Sequence, residues 1–222
     1  MRITSLVTAI ATGVLATSLV AFPAAAGGSG ATVWIAHGIP AVPVDVCVNG
    51  AEVRSGFRYG NAFKATLPAG DYKVRVRLAH PGTCTGAVVI KQTVGLTNGL
   101  NATAVARLVG STPSLAIFVN DIDVPEGDAS ITVRHVAVAP KVDVWLNGGT
   151  APAISKIAHG DEVGPVVLDT GVYSFWASRV GAVQPVIGPN VARLRADRAY
   201  QILAVGNSAS TYGFIVIGQA AS

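Results

Sequence analysis

Two histidine–aspartate pairs are the residues best suited to chemistry. His37 precedes Asp45 by eight residues, and His135 precedes Asp143 by the same eight. An imidazole held by a carboxylate can activate a hydroxyl nucleophile or a water molecule, so each pair is a candidate for general-base catalysis. The two pairs lie 98 residues apart, inside segments that also recur: VDVCVNG at residues 44–50 and VDVWLNG at residues 142–148.

Strand parity decides between a site used twice and a structural unit used twice. In ATVWIAH, Val33, Ile35 and His37 share a face, as Ile131, Val133 and His135 do in SITVRHV. In VDVCV the apolar face is Val44, Val46 and Val48, with Asp45 opposite. Histidine and aspartate therefore point apart unless a twist or bulge joins them. The structural reading gives His37, Asp45, Asn49 and Gly50, and their counterparts His135, Asp143, Asn147 and Gly148, packing and turn roles. A histidine at a strand end bonds loop backbone, and an aspartate near a turn caps exposed amides. The chain has no G-x-S-x-G elbow, H-E-x-x-H pair, P-loop or dinucleotide glycine pattern. No catalytic, cofactor-binding or metal-ligating residue is assigned. Asp121, Asp123, Glu126 and Asp128 are hard oxygen donors, but their spacing is not that of an EF-hand loop and they read as a solvated acidic linker.

The elements that hold these residues also repeat. LPAGDYKVRV at 67–76 matches LDTGVYSFWA at 168–177, and ATAVARLVG at 102–110 corresponds to YQILAVGN at 200–207. Two units follow, at residues 31–119 and 130–219, with a linker at 120–129. Within each unit the hydrophobic period is two. In DYKVRVRL, for instance, Tyr72, Val74, Val76 and Leu78 oppose Lys73, Arg75 and Arg77. That is an antiparallel strand with one wet face. Asn49-Gly50 and Asn147-Gly148 accept positive φ at both central positions and mark tight hairpins; Gly149 lengthens the second. Seven or eight short strands per unit indicate β-sandwiches. Two sandwiches on a short linker move relative to one another unless a large interface holds them.

Residues 1–26 read as a secretory signal peptide: Arg2, an uncharged apolar run, then an A-x-A site at residues 24–26. The run is also long enough for an uncleaved anchor, but no second such run follows, so no membrane span is expected in the mature chain. Net charge is only +4, without basic blocks, which argues against a nucleic-acid partner. Cys47 and Cys84 are the only cysteines, and in an oxidising compartment they are expected to pair.

The halves differ on their outer faces. Trp145 stands where the first unit has Cys47, and Trp176 where it has Arg75. Tryptophan offers large contact area with a polar N–H, so Trp145 and Trp176 form a candidate binding patch for a glycan, peptide or protein. The alternative is a loop or the neighbouring unit lying over them. The Lys73, Arg75 and Arg77 stripe suits an anionic wall polymer or plain solvent.

WIAHGIPAVPVDVCVNG and RHVAVAPKVDVWLNG, each followed by a Gly-x-Tyr turn and strand, resemble the bacterial family called domain of unknown function 4397. The second copy keeps Pro140 in place of Pro40 and Pro43, and has Asp169 where the first has Pro68. The resemblance implies an immunoglobulin-like sandwich in an exported protein and carries no activity or cofactor. The expectation is an all-β chain: two tandem immunoglobulin-like antiparallel β-sandwiches after an N-terminal signal peptide. It is expected to be secreted or wall-associated, with a non-catalytic binding, adhesion or spacer role toward a cell-wall polymer, glycan or protein. The alternative is a secreted hydrolase with its site at the His-bearing strand ends.

Overall fold

The computed structural model describes residues 30–222, and the expected signal peptide at residues 1–26 lies outside them. Among the described residues the chain is all-β. The first eight strands are β1 (Ala31–His37), β2 (Val44–Val48), β3 (Ala51–Phe57), β4 (Ala62–Leu67), β5 (Gly70–Leu78), β6 (Val88–Leu96), β7 (Asn101–Val109) and β8 (Thr112–Val119). The next eight are β9 (Ala129–His135), β10 (Val142–Leu146), β11 (Ile154–Ile157), β12 (Glu162–Leu168), β13 (Gly171–Arg179), β14 (Pro185–Leu194), β15 (Arg198–Val205) and β16 (Gly213–Ala220).

Each set of eight forms two four-stranded sheets packed as a sandwich. The first pairs β3-β2-β5-β6 with β4-β1-β7-β8, and the second pairs β11-β10-β13-β14 with β12-β9-β15-β16. All strand pairs are antiparallel except β1 with β7 and β9 with β15. Within the sandwich class the order has its own feature: the third strand stays beside the second as a hairpin instead of crossing to the opposite sheet. The hairpins turn on Asn49-Gly50 (φ 51° and 88°) and Asn147-Gly148 (φ 49° and 66°). Gly149 donates to the Leu146 carbonyl at 3.0 Å, so the second turn is also a two-residue turn. Gly149 thus does not lengthen it; the extra length follows, before β11.

The two sandwiches share a third core. Ala36 and Val105 of the first meet Val136, Leu203, Val205 and Ile217 of the second, with Trp34 and Phe118 packed against them. Sheet β4-β1-β7-β8 therefore lies on its counterpart β12-β9-β15-β16, and the molecule has four sheet layers. The polar face of β9 is not wet: every residue of the strand is buried, including Ser130, Thr132 and Arg134. The shared core is the kind of interface that the expectation of moving units left as its exception. Asn120, inside the expected linker, is buried here, accepting from Thr103 Oγ1 (2.9 Å) and Arg134 Nη1 (2.8 Å). Gln219 of β16 accepts from Trp34 Nε1 (3.2 Å) and Asn101 Nδ2 (3.0 Å), and donates to Gln201 (2.9 Å). The interface is apolar at its centre with a nearly continuous polar network beside it, which suits close and specific docking.

Candidate functional site

The repeated motif is built the same way in both sandwiches. β1 and β9 each end in histidine because the inward face of the strand runs out there, and the chain must loop to the opposite sheet. Nε2 of His37 faces the Val42 carbonyl at 3.3 Å, and Nε2 of His135 faces the Pro140 carbonyl at 3.0 Å. A carbonyl only accepts, so both imidazoles carry their proton on Nε2 when neutral. Each thus clasps the loop five residues ahead. Nδ1 of His37 accepts from the Ile39 amide at 3.3 Å, whereas Nδ1 of His135 is buried without a protein partner. Burial lowers the pKa of both below the ordinary 6.5; their carbonyl bonds act against that shift, as does Asp161 at His135, while His159 adds to it.

Asp45 and Asp143 are not bonded to these histidines. Asp45 Oδ1 accepts from Gly56 N–H (2.9 Å) and Oδ2 from His80 N–H (3.2 Å). Asp143 Oδ1 accepts from Lys156 N–H (2.8 Å) and Oδ2 from Gly181 N–H (3.0 Å). Gly56 and Lys156 have φ of 53° and 59°, at irregularities in the β2–β3 and β10–β11 ladders. Such a kink leaves an amide without its ladder partner, and the aspartate supplies the acceptor. Asn49 and Asn147 extend the device, accepting from Lys73 N–H and Ser174 N–H at 2.9 Å each. The motif is a set of backbone clasps holding the second strand of each unit to the third and fifth.

The tryptophans are adjacent but unequal. Trp145 and Trp176 are register partners on β10 and β13, with parallel rings 5.9 Å apart. Trp145 is only 6 % exposed and donates to Ser178 Oγ at 2.8 Å, so it is removed from the expected patch. The reason is the loop after β13: Ser178 Oγ bonds the Ala182 carbonyl, and Trp176 Nε1 bonds the Val183 carbonyl at 3.1 Å, folding that loop across the sheet. Trp176 stays half-buried beside a shallow depression walled by Val183, Pro185 and Pro189. Val172, Val183 and Val191 are exposed on the same side. On the opposite end of the molecule the matching sheet presents Lys73, Arg75 and Lys91, and Cys47 is joined to Cys84 there.

A feature absent from the sequence reading lies inside the first sandwich. Between its two sheets lies a partly open apolar cavity of about 480 Å³, reaching from His37 and Phe57 to Leu96. Glu52 and Lys64, on the edge strands β3 and β4, also line it. The only sequence signal for it is the run of alanines Ala102, Ala104 and Ala106 on an inward strand face.

Among solved structures, the chain is similar to one described as a "putative cell adhesion protein" from Bacteroides eggerthii, at 11% identity and a TM-score of 0.22, over 88% of this chain and 96% of that one. No curated protein matches. The model of a domain of unknown function, DUF4397, matches residues 31–145, from the start of β1 to Trp145 in β10. With its two clasped V-D-V-x-x-N-G hairpins, the chain belongs to the DUF4397 family.

Proposed function

We propose that this chain is an exported, non-catalytic binding protein that works at or beyond the cell surface, as an adhesive or spacing element. The observation that carries the reading is the use of the repeated polar residues: both oxygens of Asp45 and Asp143, and the donor nitrogen of each motif histidine, are engaged by main chain. These groups act on the fold and not on a substrate. The stacked sandwiches form a stiff body with two dissimilar ends, one basic and one apolar. The apolar end, with Trp176 among Val172, Val183 and Val191, is the contact surface this reading assigns to a glycan or protein. A pull-down against cell-wall fragments and a glycan array tests it, with the Trp176→Ala/Val191→Ser chain alongside. Retention of the natural chain, weakened at least tenfold in the variant, is expected. Equal retention of both, or of neither, defeats the assignment.

A further inference from the structure

We propose that the first sandwich is a container for one long-chain aliphatic molecule. The second sandwich provides the internal comparison, because the two share one register. Val33 and Ala102 pair as Ile131 and Tyr200 do; Ala104 stands where Ile202 stands. Ala65 matches Val166 by its pairing on the other side of the same sheet. From the opposite sheet, Val48 and Val74 take the places of Leu146 and Phe175. At every one of these inward positions the first unit has the smaller side chain. Ile35, Phe63 and Val76, opposite Val133, Val163 and Ala177, recover only part of the loss. The second unit fills its centre with Tyr200, whose hydroxyl bonds the backbone of Arg193 and Arg195, and with Phe175 packed on Phe214. The first leaves about 480 Å³ between its sheets.

That volume falls in the range of small-molecule sites. Voids lined by aliphatic and aromatic carbon stay dry and take up apolar guests. The deep end offers no free polar group, since His37 is spent on Val42 and Ile39. The body of the guest must therefore be hydrocarbon. The Tyr72 hydroxyl is bonded to the Pro68 carbonyl, and Lys64 and Thr66 pair with Trp34 and Thr32 on the face of the sheet turned away from this core, so Glu52 and Arg54, the latter over the Phe63 ring at 5.6 Å, are the charged groups at the edge. A polar end of the guest would therefore sit at this edge, the one part of the lining with charged groups. The inference is independent of the surface reading above, which uses the far end of the other sandwich.

The test uses the full chain, delipidated, with hexadecanoic acid as ligand, followed by native mass spectrometry and by displacement of N-phenyl-1-naphthylamine fluorescence. One hexadecanoate per chain is expected. Ala104→Ile and Ala102→Tyr, which install the second unit's residues, should each weaken uptake at least tenfold with an unchanged or higher melting temperature. Ala104→Ile, the smaller change, stands alone if Ala102→Tyr does not fold. Trp176→Ala should leave uptake unaltered. Hexadecanol should be taken up as hexadecanoate is. No uptake by the natural chain, or equal uptake by the filled variants, overturns the container.

Discussion

Arg134 of the second sandwich lays its guanidinium over the Phe118 ring of the first, 4.8 Å from the ring centroid. The same group bonds Glu162, Asn120 and the Val119 carbonyl, and its side chain is fully buried. Burial presses its pKa below the ordinary value, and Glu162 pushes back by bonding and by charge. Removing the buried partner of such a pair costs about 3 kcal/mol here, the low end for buried ion pairs, because Glu162 is 35% exposed and water can take over part of its bonding. Arg134→Ala is expected to lose that much by urea unfolding, and Arg134→Met less, because its stem still fills the interface.

The motif histidines make stability depend on pH in a definite direction. Both have folded-state pKa values below 6.5, so the unfolded chain binds more protons just below that pH. Their contribution is complete above about pH 6.5 and is lost as the pH falls below it. Urea midpoints should decline from pH 7.5 to pH 5, and the His37→Gln/His135→Gln chain should decline less steeply. A double variant with the same slope as the natural chain contradicts this.

Asp143→Ala removes the acceptor from two amides, Lys156 and Gly181. Both bonds are part-buried and go to a charged acceptor, a kind that contributes about 1.5–3 kcal/mol each. The loss should exceed that of Asp143→Asn, which keeps one carbonyl acceptor. Hydrogen exchange at Lys156 and Gly181 should quicken in both, more in the alanine variant.

The Cys47–Cys84 bond closes a 37-residue separation in the first sandwich only. In the chain-entropy model its loss costs about 3–4 kcal/mol. The Cys47→Ala/Cys84→Ala chain should show a lower urea midpoint, with exchange rates rising first in β2 and β5 and last in β10 and β13.

Much of this architecture was readable in the residues. Val44, Val46 and Val48 alternate with Asp45 because one sheet face meets a core, and Asn49-Gly50 is a turn because asparagine and glycine tolerate positive φ. The stacking was not readable. Ser130, Thr132 and Arg134 alternate with Ile131 and Val133 as a solvated face would, since a polar interface and water make the same demand on residue type. The closure over Trp145 depends on where a loop of ordinary composition folds, which no local period encodes. The hollow was invisible for a related reason: a row of alanines marks a tight approach of sheets as readily as a void.

The seam between the sandwiches draws its apolar residues from both halves. A gene cut after Val119 would set Trp34, Val105 and Phe118 against water, an adhesive seam for another copy of itself. Drift is thereby confined. The halves are free to diverge at their far ends and in their interiors, but along the seam a change in one must be answered by a change in the other.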